Sequence, residues 1–226
     1  MRTGATICGA ILLIAPLQST AGVPSAVHCT LPSGIQLVGT SSGVPDVKGQ
    51  AQVVVRDASS NPVANATVTI DFAPFELNAP TCAGSDLHLC NTQPFGGNSI
   101  VCTSTEKTVS AYTNASGVAT FRIVGSTAVS PGNPPGVTQA CARVRIGTYI
   151  LGHLRVGAYD LNNSGGVNSA DQSLFLEVMF ASPAGYRSRA DYNGDGFCNS
   201  ADYSKFISVM FGAGSNNSCQ SGNNCF

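Results

Sequence analysis

The stretch from Asp160 to Phe211 restricts the fold more than any other, because it repeats itself. The first copy runs Asp160-Leu161-Asn162-Asn163-Ser164-Gly165-Gly166-Val167-Asn168-Ser169-Ala170-Asp171. The second, thirty-one residues on, runs Asp191-Tyr192-Asn193-Gly194-Asp195-Gly196-Phe197-Cys198-Asn199-Ser200-Ala201-Asp202. That period lies in the range of repeated supersecondary units. Both copies place oxygen-bearing side chains at positions 1, 3, 5, 9 and 12, and glycine at position 6. A hard divalent cation takes six to eight oxygens, so a short loop must curl and aim alternate side chains inward. Gly165 and Gly196 permit the turn that brings the position-7 carbonyl round as a further ligand. The spacing predicts two calcium sites: Asp160, Asn162, Ser164, Gly166, Asn168 and Asp171, then Asp191, Asn193, Asp195, Phe197, Asn199 and Asp202. Metal-free Asn/Asp/Gly turns are common, but two copies in register favour the metal. The second site carries three carboxylates against two in the first, which predicts tighter binding there.

The segments behind the loops also match. Residues 169–180 and 200–211 share Ser-Ala-Asp-x-Ser-x-Phe-x-x-Val-Met-Phe. Ala170, Leu174, Phe175, Val178 and Met179 have the spacing of one helical face, and Ala201, Phe206, Val209 and Met210 repeat most of it. No helical pattern precedes either loop. Residues 154–158 read as an extended run and residues 185–190 as a short linker. A duplicated loop–helix unit with Asp at position 12 and no helix before the loop resembles a dockerin domain. The resemblance covers about a quarter of the chain. It implies a calcium-dependent module that plugs a secreted protein into a cohesin-like partner, often in polysaccharide-degrading assemblies. It also places the partner contacts at Ser169, Ala170, Ser200 and Ala201. The chain departs from the family at Ser164, where Asp or Asn is usual, and at Glu177-Val178 and Ser208-Val209, where many members carry Lys or Arg.

The chain opens with a short positive start, Met1-Arg2, an apolar run over residues 5–17, and small residues ending at Ala21. This pattern predicts a signal peptide over residues 1–21, and hence a secreted, extracellular or cell-surface protein. No later apolar stretch reaches membrane length. Loss of Cys8 with the signal would leave eight cysteines, an even number that suggests disulfides in an exported chain; Cys198 is the expected exception. The shortest loops would join Cys82 to Cys90 and Cys219 to Cys225, but eight cysteines leave many pairings open. Only 10% of residues are charged and the net charge is −1, with no basic cluster, which argues against nucleic-acid binding.

Between residues 35 and 158 the hydrophobic period is two. Val68, Ile70 and Phe72 alternate cleanly, as do residues 120–123, 143–146 and 150–156; residues 52–56 and 107–112 are further strands. Turn clusters at residues 59–62, 114–117, 131–136 and 146–148 separate them. About seven short strands predict an antiparallel β-sandwich. The phrases Val44-Pro45-Asp46, Asn61-Pro62-Val63 and Thr113-Asn114-Ala115-x-Gly117 resemble bacterial immunoglobulin-like domains of the invasin/intimin type. That resemblance implies a stalk, spacer or adhesion module. The chain departs from it by a long insert, residues 74–99, which reads as a loop.

The expected fold is therefore mostly β, an N-terminal Ig-like antiparallel sandwich followed by a small α-helical dockerin-like domain. The expected divisions are a signal peptide at 1–21, a linker at 22–33, the sandwich at 34–158, the calcium repeat at 159–212 and a cysteine-containing tail at 213–226. His28, His88 and His153 fall in no catalytic or zinc motif. Asp71 and Glu76 could form an acid–base pair only if Asp71 did not point outward from its strand, so no enzyme activity is expected. Two readings remain. Docking to a cohesin-like partner requires Ser169, Ala170, Ser200 and Ala201 to be exposed, whereas a repeat that merely caps the sandwich would bury them. A carbohydrate ligand has no support in the sequence beyond the company dockerins keep.

Overall fold

A computed structural model describes residues 22–72, 87–103, 106–128, 140–180, 189–212 and 224–225. The expected signal peptide, the first half of the insert and most of the tail lie outside these residues. The described chain is mostly strand, with two helices.

The strands follow the alternating runs of the sequence. In chain order they are β1 (Gly34–Leu37), β2 (Thr40–Ser41), β3 (Val44–Pro45), β4 (Gln50–Val54), β5 (Thr67–Asp71), β6 (Leu87–Cys90) and β7 (Asn98–Cys102). There follow β8 (Lys107–Tyr112), β9 (Val118–Arg122), β10 (Gly125–Thr127), β11 (Ala140–Ile146), β12 (Tyr149–Ala158) and, at the far end, β13 (Asn224–Cys225). Six of them form one sheet in the order β1-β12-β11-β5-β8-β7. Strands β10, β6 and β13 form a second sheet, and β4 pairs with β9. The inward residues of these sheets meet in one core that includes Val53, Ile70, Phe72, Leu89, Phe121, Val144 and Val156. Burying each such side chain contributes about 1.5–3 kcal/mol.

Four sequence expectations need correction. The strand pairing is not wholly antiparallel, since β1 runs parallel to β12, with Ile35 opposite Val156. A parallel pair needs a long crossover, and here nearly the whole strand region supplies it. The segment 74–99 is not all loop, because Leu87 and Leu89 of β6 are core residues and β6 pairs with both β10 and the C-terminal β13. The segment 22–33 is not a free linker: Pro24 bridges Asp57, Thr30 bridges Val54, and Ala26, Cys29 and Leu31 pack on the core. Asp71 does not face solvent. It is buried, with its Oδ2 2.5 Å from the Arg143 guanidinium. Alternation placed Asp71 opposite Ile70 correctly, but the arginines of β11 cover that second face.

Among the described cysteines, Cys29 and Cys198 are not in disulfides, while Cys90 and Cys102 are disulfide-bonded. Cys29 thus departs from the expectation of general pairing; its thiol points at the Arg56 carbonyl, 3.7 Å away.

Helices α1 (Ser169–Phe180) and α2 (Ser200–Met210) pack on a second core, formed by Tyr159, Leu161, Val167, Phe175, Ala190, Tyr192, Phe206 and Val209. It is more aromatic than the first. Phe175 lies at its centre, with ring centroids 5.9 Å from Tyr192, 5.7 Å from Tyr203 and 5.5 Å from Phe206. Val38 of the strand region belongs to this second core as well. Further bonds tie the two parts together. Arg189 donates to the Val156 carbonyl at 2.9 Å, Tyr192 Oη to the Ala158 carbonyl at 3.1 Å, and Lys48 Nζ to the Ser208 carbonyl at 2.7 Å. Gly157 stands at this junction, where a Cβ would meet the Gln36 side chain and the Arg189 carbonyl. Arg189 and Ala190, read from sequence as linker, are both buried.

Candidate metal centre

Each loop folds around its own first and last aspartate. In the first, Asp160 Oδ1 accepts from the Ser164 amide at 3.1 Å and Oδ2 from the Gly165 amide at 3.0 Å. Asp171 Oδ1 accepts from the Leu161 amide at 2.7 Å, and its Oδ2 from the Asn168 amide at 2.9 Å. The second loop repeats the plan. Asp191 accepts from the Gly194 and Gly196 amides at 2.7 and 2.9 Å, and Asp202 from the Asn193 and Asn199 amides at 2.9 and 3.2 Å. The backbones agree too: position 4 is left-handed in both (Asn163, φ 55°; Gly194, φ 77°), and position 6 has φ 92° in both. A side chain at that last φ is strained, which accounts for Gly165 and Gly196.

Asp171 and Asp202 hold the start of the helices as well as the loops. Asn199 caps α2 by accepting from the Ala201 amide at 2.7 Å, while Asp202 accepts back from the Asn199 amide, forming a capping box. Asn168 and Asp171 make the same two bonds ahead of α1.

All four end aspartates, Asp160, Asp171, Asp191 and Asp202, are buried. Burial pushes the Asp171 carboxyl up to about 6, against the partial relief of its amide bonds, and raises Asp202 in the same way. Asp195 is exposed and is held low, chiefly by the Phe197 amide. A carboxylate raised by burial is one whose charge lacks compensation, and either a proton or a cation supplies it.

The donor set fits a hard cation. Carboxylate oxygens of Asp191, Asp195 and Asp202 lie within 4.8 Å of one another. The side-chain amides of Asn193 and Asn199 converge on the same place, both donating to Asp195 Oδ2, at 2.8 and 3.2 Å. In the first loop Ser164 Oγ, the Gly166 carbonyl and the Asn168 amide converge likewise, within 3.3 Å of one another along their hydrogen bonds. Gly166 is half-buried, and Phe197, its counterpart at position 7, has an exposed side chain and donates its amide to Asp195 Oδ1 at 2.9 Å. Bound calcium would supply positive charge and nothing redox-active, so its contribution there is to hold the loop together.

Ser169, Ala170, Ser200 and Ala201 are all exposed, in the first turns of the two helices. Ala170 and Ala201 therefore lie off the buried stripe they were read into; Phe175, Val178, Phe206 and Val209 form it. No local pattern pointed to Arg155. From β12 its guanidinium bonds to Asp191 Oδ2 at 3.3 Å and to the Gly194 carbonyl. Nor did any show that Ser126 Oγ would donate to Asn163 at 2.7 Å, or the Thr127 amide to the Asp160 carbonyl at 2.9 Å. Nothing local marks such contacts, because each spans tens of residues.

No family model matches the chain, and neither a curated protein nor a solved structure matches it. Among the described residues, no helix is long and apolar enough to cross a membrane.

Proposed function

We propose that this is a secreted, non-catalytic protein in which an immunoglobulin-like β-sandwich carries a dockerin-like calcium module, and that the module docks a cohesin-like partner. The observation that carries the reading is the duplicated loop, whose two copies share backbone bonds, left-handed positions and helix caps, with a carboxylate triad in the second. The exposure of Ser169, Ala170, Ser200 and Ala201 supports docking over simple capping. The two ligand sets are those given by the loop spacing, one calcium ion in each.

The packing of the helices against Val38 and Lys48 favours a second role, in which calcium also stabilises the protein as a whole. The test uses the full secreted chain. Calorimetric titration should show two calcium-binding events, and binding to a purified cohesin domain should vanish in chelator. Loss of partner binding only when both Ser-Ala pairs are replaced would support docking through either repeat. No calcium heat would end the reading.

A further inference from the structure

We infer that Arg155 is a resident counter-ion of the second calcium loop, which lowers that loop's affinity for the ion while holding the metal-free loop in shape. The inference rests on the calcium reading above. Arg155 belongs to the strand region, yet its guanidinium bonds at once to a ligand carboxylate, Asp191 Oδ2, and to a backbone carbonyl of the same loop, Gly194. The Asp191 side chain is fully buried, while that of Arg155 retains 28% of its exposure. One cation thus faces a carboxylate that would face calcium.

The consequence is electrostatic. Asp191, Asp195 and Asp202 bring three formal negative charges, and Arg155 reduces the sum to two. Counting ligands alone therefore overstates how tightly the second loop binds. A guanidinium stays charged at every accessible pH, so its repulsion of the incoming ion persists. Without the ion, the same charge offsets the mutual repulsion of the aspartates. Arg155 is also a mechanical link. Through it β12, the second strand from one edge of the large sheet, holds position 4 of the loop.

The experiment compares wild type with Arg155→Met, Arg155→Gln and Arg155→Lys, all as full chains. Asp195→Ala identifies which calorimetric event belongs to the second loop. The two neutral variants should bind calcium there about tenfold more tightly, with the other event unchanged. In chelator their melting temperatures should fall by about 2–4 °C. Arg155→Lys should keep the wild-type affinity within about threefold, because it keeps the charge and loses the fork. If the neutral variants bind no tighter than wild type, the inference falls and the calcium reading stands. If the lysine variant binds as tightly as they do, shape and not charge is responsible, and the inference also falls. Should Arg155→Met not fold, Arg155→Gln, which can still donate to Gly194, decides the matter. Absence of calcium heat in wild type overturns the underlying reading itself.

Discussion

The two loops share a backbone and differ in what surrounds it. Position 5 is Ser164 in one and Asp195 in the other, and position 4 is Asn163 in one and Gly194 in the other. The strand region reaches the first loop with a hydroxyl, from Ser126, and the second with a guanidinium, from Arg155. The shared elements are those that hold a twelve-residue turn closed: Asp at both ends, glycine at position 6 and a cap before the helix. The differing elements set charge. The two copies keep the geometry of the turn and differ in the groups their neighbours bring to it.

The largest expected effect concerns the helices behind the loops. Phe175 and Phe206 occupy the same position in the repeat and neither is exposed. Phe175 touches three aromatic rings, whereas Phe206 has Phe175 as its recorded ring neighbour. Truncating a buried Phe costs about 3–5 kcal/mol. Phe175→Ala should lie at the top of that range and Phe206→Ala below it, measured by denaturant unfolding in calcium. Equal losses would mean that the repeat is energetically symmetrical despite its packing.

Next comes pH. Asp171 is raised by burial to about 6 from 3.8, and Asp202 is raised too. Such groups contribute stability that is complete below the unfolded value and lost as pH rises through the folded one. In chelator, lowering the pH from 7 to about 4.5 should therefore stabilise the module. Asp195, shifted the other way, loses its contribution only as pH falls below its unfolded value, outside that window. Under saturating calcium the sign should reverse, because protons then compete with the ion for the same carboxylates. Melting curves at both pH values, with and without calcium, check this; a common sign in both conditions would refute it.

These contrasts mark what sequence could and could not show. The loop plan was legible because its polar residues and glycines lie within twelve positions and recur at one spacing. The strands around Ile70 and Val144 were legible because alternation is local. The parallel pairing of β1 with β12, the core strand β6 within the insert, and the reach of Arg155 depend on contacts between distant segments. Asp71 shows the same boundary: alternation gives the side of the sheet and not what covers it. Ala170 shows another. Helical spacing admitted it to the apolar stripe, but Asp171 and Phe175 fix the inward face, and Ala170 turns out.

Position 5 offers a direct way to sharpen the comparison. Ser164→Asp gives the first loop the carboxylate that Asp195 gives the second. Its affinity for calcium should rise about tenfold, a cautious figure for a charge added at contact distance to a divalent ion. Calorimetry of the full chain reads the change as a narrowing or reversal of the gap between the two events. An unchanged first event would show that ligand charge does not control this loop.

Position 4 should give the smallest effect, and the two directions of exchange should differ. The backbone there is left-handed in both loops, a conformation that asparagine tolerates better than other residues with a side chain. In Gly194→Asn the new Cβ would lie 3.4 Å from the Arg155 guanidinium, an ordinary contact. The left-handed backbone strains any side chain, least so asparagine, so the cost should stay below about 1 kcal/mol. In Asn163→Gly the 2.7 Å bond from Ser126 is lost. A hydrogen bond of that kind is worth about 0.5–1.5 kcal/mol, and the greater freedom of glycine in the unfolded chain adds to the loss. The reverse exchange should therefore cost more, about 1–2 kcal/mol. Denaturant unfolding in calcium compares them. If Gly194→Asn proves the costlier, the Arg155 contact leaves no room for a side chain, and the second loop is held to the strand region more tightly than the first.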